Sequence, residues 1–344
     1  MVQINVYNVS DVLNFLKDNY SLKDIDLWPT DKGLDNTVFF VGNFIEKKPL
    51  YVLKIVETKH KSDIENSIRI FQDIPKEFTN LNYIKSNNLN FVEDFDNNKK
   101  CAVLMTYIKG KEPNLFTFPE VIKYANFIKG FHNLQTDLQP DKINKFIDNE
   151  FKLINQYWCN EVKEGVLFHF PSRSKFYHKM VNCILEGKSK FTNYMSNIPC
   201  LVGITHNDFT TANVIEDQNL NYNIIDFDSI ELKGFQLIDL LQAVSKSPIS
   251  TDSKKVEYFL KSYFNTLEEG LLPKKNIEKI CESFKNWQIV FSLRAMLSTD
   301  YYTFKIPKLT PEWSKLNVDK LLSHLEKGIT ENITNEKKVL CHHL

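Results

Sequence analysis

Arginine is nearly absent from this chain. Arg69, Arg173 and Arg294 are the three it has, and lysine supplies the remaining positive charge. Acidic and basic residues balance at 43 each, so no net charge draws the protein toward nucleic acid or an anionic membrane. Local basic runs such as Lys59–His60–Lys61 read as solvated faces. The six cysteines (Cys101, Cys159, Cys183, Cys200, Cys281 and Cys341) form no close pair and no metal-like spacing, so they read as free thiols in a reducing compartment. No apolar stretch reaches the ~18–20 residues that a membrane span needs. The first residues have neither the basic nor the apolar region of a signal peptide. The expectation is a soluble, cytoplasmic protein with no nucleic-acid and no membrane partner.

What is present is an ordinary globular composition, 42% hydrophobic and 25% charged over 344 residues, enough for one large domain or for two lobes with separate cores. Spacing predicts a short helix over 10–20, capped by Ser10 or Asp11. The period then changes. Leu27–Thr30, Thr37–Val41 and Leu50–Val56 are β-branched or aromatic runs divided by turn residues, the pattern of an antiparallel meander. A helix is predicted over 77–86, then strands around 90–95 and 100–108. Beyond Gly110 the pattern is helical at 118–135, 142–158, 175–195, 235–244, 254–269, 276–299 and 311–327. One break, Ile204–Asp228, places strand-like pieces around a polar loop. The expected fold is α+β: a five-stranded antiparallel sheet in lobe 1–107, a mostly helical lobe at 108–328, and a polar tail at 329–344.

The break carries the chemistry. It reads Gly203-Ile-Thr-His-Asn-Asp-Phe-Thr-Thr-Ala-Asn-Val-Ile215, followed by Tyr222-Asn-Ile-Ile-Asp-Phe-Asp-Ser229. Asp208 and Asn213 lie five apart, and Asp226 follows at the end of an apolar run. Any one of these residues alone would be read as a turn former. As a set they match phosphoryl transfer, in which a carboxylate takes the proton of an acceptor hydroxyl while hard oxygens hold Mg²⁺ against the nucleotide's phosphates. Asp208 fits the first role, and Asn213 and Asp226 fit the second. Upstream, Lys54 interrupts the apolar strand Tyr51-Val-Leu-Lys-Ile-Val56. A lysine buried there requires a carboxylate partner. Glu77, at the start of the predicted helix, is the expected one, leaving Lys54 to reach the phosphates of ATP. The turn holding Gly33, Asn36 and Thr37 would cover those phosphates, although a plain hairpin turn accounts for it equally well.

With these residues in hand, the chain resembles the aminoglycoside phosphotransferase and choline kinase-like family, of protein-kinase-like bilobal fold, over essentially its whole length. His206-x-Asp208-x₄-Asn213 and Ile225-Asp226-Phe227-Asp228 carry the resemblance, with Phe131-His132 and Gly234-x₄-Asp239-Leu240 in support. The resemblance implies that Asp208 is the catalytic base, that Asn213 and Asp226 bind Mg²⁺, and that Met105, Thr106, Tyr107 and Ile108 face the adenine. It makes His206 and Asp239 scaffolding. Only twelve residues separate Asp226 from Asp239, and no Ala-Pro-Glu follows, which leaves no activation segment and favours a small-molecule acceptor over a protein. The late helix around Leu293–Tyr302 and the Asp226 region are similar to N-acetylhexosamine kinases, while His-Asn-Asp also occurs in choline and ethanolamine kinases. Sugar, amino-sugar, aminoglycoside and amino-alcohol hydroxyls therefore stay open, as does GTP beside ATP. Asp228, Arg294 and Asp300 are candidates for touching substrate, with a helix-closing salt bridge the competing account of Arg294. A non-catalytic pseudokinase or coat-associated binding module is the alternative, as spore-coat members of this family illustrate.

Overall fold

The computed structural model describes residues 7–30, 37–43, 48–96, 99–139, 143–195, 200–265, 274–305, 310–319 and 321–322. Gly33, Asn36 and the 329–344 tail lie outside these residues. The chain divides into two compact units, one from 1–113 and 212–231, the other from 114–211 and 232 onward. The loop-and-hairpin segment 212–231 thus groups with the N-terminal unit, which a single boundary at 107/108 does not express.

The first unit opens with α1 (Val9–Tyr20). Its cap is Asn8, not Ser10 or Asp11: the Asn8 side chain accepts from the Ser10 amide at 3.1 Å. Strands β1 (Asp26–Pro29), β2 (Thr37–Asn43) and β3 (Lys48–Glu57) form the expected meander. Next come α2 (Lys61–Phe71), β4 (Tyr83–Ile84), β5 (Val92–Phe95) and β6 (Lys100–Thr106). The sheet order is β1-β2-β3-β6-β4, with β5 also paired to β6, so among the described residues it has six strands where five were expected. The sixth, β4, is two residues long.

Strand alternation sorts β3 between two cores. Leu53 and Ile55 join Val12 and Leu16 of α1, with Phe39, Val41, Ala102 and Leu104. Val56 joins Ile64 and Ile68 of α2 on the opposite face. Lys54 alternates onto that second face, opposite Val38 and Val103 in the ladder.

The helix predicted over 77–86 does not form. The unit's second helix is α2, whose Ile64, Ile68 and Phe71 follow helical spacing inside a charged stretch that reads as solvated. Residues 76–78 form a turn instead. Phe78 and Leu81 are buried as expected, but through tertiary hydrogen bonds to β10 (Tyr222–Ile224). The Ile224 amide donates to the Phe78 carbonyl at 2.9 Å. The Thr79 hydroxyl donates to the Ile224 carbonyl at 2.8 Å, and the Asn80 amide donates to Asn223 Oδ1 at 2.9 Å. These bonds lie about 145 residues apart in sequence, beyond the reach of local periodicity.

The second unit holds α3 (Phe118–His132), β7 (Thr136–Gln139), α4 (Ile143–Tyr157), α5 (Asn160–His169), α6 (Pro171–Met195) and β8 (Cys200–Thr205). It continues with β11 (Glu231–Phe235), α7 (Leu237–Ser245), α8 (Ser253–Asn265) and α9 (Lys274–Phe304), and 311–319 is helical too. Helix α3 starts at a capping box, with the Thr117 side chain and Glu120 each bonding the other's backbone amide. Helix α5 and the early start of α6 escape the sequence reading. Pro171 at the first position of α6 is compatible with helix there because it needs no N–H partner. Strands β11, β8 and β7 form a small sheet, with β8 central. Its far end delivers the chain into the polar loop after Thr205.

Gly234 on β11 exists for close approach. A Cβ there would overlap the Thr205 side chain at the end of β8. Gly234→Ala is therefore expected to cost about 1–3 kcal/mol of overpacking, measured by chemical denaturation. Adding Thr205→Ala should recover part of the loss, because two of the three colliding atoms go with it. An unchanged denaturation midpoint in Gly234→Ala would refute this reading.

Candidate active site

In the second unit, residues 206–209 follow β8 as a tightly held loop. Asn207 takes φ 60°, a left-handed conformation that Asn tolerates better than most residues. Asp239 on α7 is fully buried and accepts from the amides of His206 and Asn207, both at 2.8 Å. Gln242, one turn further along α7, accepts from the Phe209 amide at 2.8 Å and donates to the Asn207 carbonyl at 2.5 Å. His206 is itself buried, and its Nδ1 accepts from the Asp208 amide at 3.3 Å. Phe209 is a fully buried anchor among Tyr124, Phe127, Phe131 and His206. Behind the loop, His132 meets Asp239 through Nε2 at 3.0 Å and Tyr263 through Nδ1 at 2.7 Å. With a proton on Nε2 toward Asp239, the ring can accept from the Tyr263 hydroxyl at Nδ1. Burial, then Asp239, pushes the Tyr263 hydroxyl above its usual range, which keeps it a donor.

The backbone around Asp208 is thus fixed while its carboxylate stays 44% exposed, with Lys246 Nζ 3.5 Å away. Exposure at that position is what a group acting on a bound molecule needs.

In the first unit, β9 (Val214–Glu216) and β10 form a hairpin that pairs Val214 with Ile224. The hairpin brings its two ends together, so the Asn213 carbonyl accepts from the Ile225 amide at 2.9 Å and Asp226 follows directly. Asp226 takes φ 61°, ψ 61° and leads into a 3₁₀ turn over Phe227–Ser229. Phe227, fully buried, packs edge-on against Phe71 of α2 at 4.9 Å. Ser67 of α2 donates to the Asp228 carbonyl at 3.0 Å.

These anchors aim two carboxylates at one point. Lys54 Nζ lies 2.6 Å from Asp226 Oδ1 and 2.6 Å from Asp228 Oδ2. Burial lowers the Lys54 pKa, but the two carboxylates outweigh it and the net shift is upward, so Lys54 is charged. Tyr83 beside them is driven well above its usual range, by burial first and then by Asp228 and Asp226.

Several sequence expectations change here. Lys54 is buried and paired as the strand pattern requires, but its partners are Asp226 and Asp228. Glu77 is exposed on a turn rather than at a helix start, and its assignment as the lysine's partner is corrected. Asp228, a candidate for substrate, spends a carboxylate oxygen on Lys54. Arg294 forms the helix-closing bridge: its Nε lies 2.8 Å from Glu150 Oε2, tying α9 to α4, and its guanidinium stacks over Phe291. Burial raises the Glu150 carboxyl despite the arginine. Asp300 is fully buried, accepting from Arg173 at 3.3 Å, Tyr177 at 2.8 Å and Ser314. Arg173 also reaches Asp319 at 2.8 Å. A carboxylate so enclosed belongs to the interior of the helical unit, and its candidacy as a substrate contact is withdrawn.

Thr37 begins β2 opposite Ile55. Met105, Thr106, Tyr107 and Ile108, at the end of β6, are all partly exposed. Thr106 is held by the Asn82 amide at 2.9 Å, and Tyr107 by the Leu50 carbonyl at 2.9 Å. Sequence reasoning missed Ser67, Gln242 and Lys246. Gln242 had a signal, since it stands three residues after Asp239 on the same helical face.

Among the described residues, no group of three His, Cys, Asp or Glu side chains converges as a metal cluster. Even so, the donor chemistry fits a hard divalent cation: Asp226 and Asp228 already meet at one positive charge, and Asn213, tied through its backbone to Ile225, is a residue type with the neutral oxygen such an ion accepts.

No protein-family model matches the sequence, and no curated protein does. By structure the chain is similar to a spectinomycin phosphotransferase crystallised with ADP and spectinomycin, with a TM-score of 0.61 and 13% identity over 95% of this chain and 99% of that one. It is similar to an amicoumacin kinase crystallised with AMP-PNP and Ca²⁺, with a TM-score of 0.59 and 11% identity over 94% of each chain. A third neighbour is the Plasmodium vivax ethanolamine kinase, with a TM-score of 0.58 and 12% identity over 95% of this chain and 90% of that one. Identities this low speak to architecture alone, and the architecture is the protein-kinase-like α+β fold that aminoglycoside phosphotransferases share with amino-alcohol kinases.

Proposed function

We propose that the chain is a small-molecule kinase that moves the γ-phosphoryl group of ATP, with Mg²⁺, to a hydroxyl of a sugar, amino sugar, aminoglycoside or amino alcohol. The observation that carries this reading is the bond from Lys54 to Asp226, 172 residues apart, which joins the strand lysine to the acid of the Ile-Asp-Phe-Asp motif. Well-packed apolar residues would stabilise these positions at least as well as an ion pair does, so charge placed here points to a use beyond folding.

In this mechanism Asp208 accepts the proton of the acceptor hydroxyl as its oxygen attacks phosphorus. Asp226 and Asn213 would hold Mg²⁺, which would supply charge neutralisation to the nucleotide's phosphates. Lys54 turns from Asp226 and Asp228 toward phosphate oxygens, and Met105–Ile108 border the adenine. The ADP and AMP-PNP bound by the neighbouring structures support the choice of nucleotide. Spectinomycin in one neighbour and the amino-alcohol names of others support the acceptor class. A kinase of this kind works in the cytoplasm, where its nucleotide is. The span from Asp226 to Asp239 is filled by the 3₁₀ turn, β11 and the start of α7, which supports a small acceptor over a peptide.

Two measurements test the reading. A screen of the four acceptor classes with ATP and GTP should give phosphorylated product with one of them. In addition, Mg·ATP should raise the melting temperature of the wild type, and Asp226→Ala should abolish the Mg²⁺-dependent part of that rise. Asp228 keeps Lys54 paired in the variant, so it should fold. No product in the screen and no Mg·ATP shift in the wild type would sink the kinase reading and favour a non-catalytic binding module.

A further inference from the structure

Three side chains on one face of α7 and its end hold the 206–209 loop, at i, i+3 and i+7. Asp239 and Gln242 bind its backbone and are buried. Lys246, which ends the helix, is different. Its side chain is 40% exposed and meets the side chain of Asp208 rather than the loop backbone. Ordinary accounts of a lysine at this place fall short. A cation at a helix C-terminus favours the macrodipole, but that needs no carboxylate partner. An exposed ion pair adds only ~0–1 kcal/mol to stability.

The loop's own composition supplies a reason. His206-Asn-Asp-Phe-Thr-Thr-Ala-Asn213 offers an acid and amides but no lysine or arginine. Phosphoryl transfer spreads negative charge over the equatorial oxygens of the group in flight. The attacking oxygen must lie within about 2.6–3.2 Å of its base, with phosphorus about 3–3.5 Å from that oxygen at the point of attack. An ammonium on a flexible four-carbon stem stands 3.5 Å from the same carboxylate, beside the oxygen that must attack.

We propose that Lys246 is a further catalytic residue, the cation that touches the transferring phosphoryl group from the acceptor side. This rests on the kinase reading above. In the step, the acceptor oxygen forms the bond to γ-phosphorus as the bond to the β-bridging oxygen breaks and ADP leaves. The hydroxyl proton passes to Asp208, and Lys246 keeps its own proton throughout, contributing charge and hydrogen bonds.

The test separates ground state from transition state. Wild type, Lys246→Met and Lys246→Arg are titrated with Mg·ADP alone and with Mg·ADP plus aluminium fluoride, the analogue of the phosphoryl group in flight. Lys246→Met should bind Mg·ADP within about twofold of wild type but lose about 10²-fold in affinity for the fluoride complex, the scale of losing one transition-state donor. Lys246→Arg should restore most of that loss. A scaffolding role would weaken both complexes together or neither. Equal affinity of wild type and Lys246→Met for the fluoride complex, with Mg·ADP bound by both, overturns the proposal and leaves the kinase reading intact. A wild type that binds no Mg·ADP overturns both.

Discussion

Asp208→Ala is expected to lower kcat by about 10²–10⁴-fold on the true acceptor, the scale of a positioned base. Nucleotide affinity should hardly move, because Asp208 acts on the acceptor's proton. Stability should stay within about 0.5 kcal/mol of wild type. The side chain is nearly half exposed, and the loop's shape depends on backbone bonds to Asp239 and Gln242 that the substitution leaves in place. The decisive measurement is single-turnover transfer at saturating nucleotide. A folded Asp208→Ala enzyme as fast as wild type would remove Asp208 from the chemistry. The comparison with Asp239→Ala is informative. That change strips acceptors from the two loop amides and from His132, so it should cost stability as well as activity, whereas Asp208→Ala should separate the two.

The second large effect is on stability. Arg173→Ala should destabilise the protein by about 3–5 kcal/mol, because it leaves the Asp300 carboxylate buried without its cation. The loss should depend on pH. Burial already raises the Asp300 pKa, against the opposing pull of Ser314, Arg173 and Tyr177. The folded state thus holds the Asp300 proton to higher pH than the unfolded state does. Stability from this carboxyl is fully present below its unfolded value and declines as pH rises through the folded one. Without Arg173 the folded pKa climbs further, so the deficit of Arg173→Ala relative to wild type should be largest near neutral pH. It should shrink as pH falls toward 4, where the lone carboxyl takes up a proton. Urea denaturation across pH 4–8 measures this, and a deficit that grows toward acid pH would contradict the assignment.

The same cluster shows where sequence reading stops. Asp300 looks like a substrate contact because it is an acid on a late helix, able to hydrogen-bond sugar hydroxyls or amines. Its neighbours Arg173, Tyr177 and Ser314 come from positions up to 127 residues away, and no local pattern announces them. Arg294 was open between two accounts, and a single contact with Glu150 decides for the bridge. Lys54 divides the same way. Its burial follows from alternation in β3, which the strand's own residues encode. Its partners do not, because α2 is disguised by surface charge and the helix expected at 77–86 is replaced by hydrogen bonds to β10. By contrast the polar loop was legible in detail. Asp226 at the end of a short strand and the hairpin between Asn213 and Asp226 follow from turn chemistry within a few residues.

The hairpin has a consequence for how the protein is made. Residues 212–231 complete the N-terminal unit: they add long-range hydrogen bonds to Phe78, Thr79 and Asn80, put Phe227 against Phe71 beside Tyr83, and give Lys54 both its carboxylates. On a ribosome, the sheet and α2 emerge more than a hundred residues before that piece does. Through that interval a nascent chain carries an uncompensated ammonium at Lys54, and Phe71 lacks the ring of Phe227. The N-terminal unit therefore cannot mature in the order in which it is translated, and a fragment ending at 113 should stay a dependent, chaperone-seeking species until residues 212–231 are supplied, even in trans.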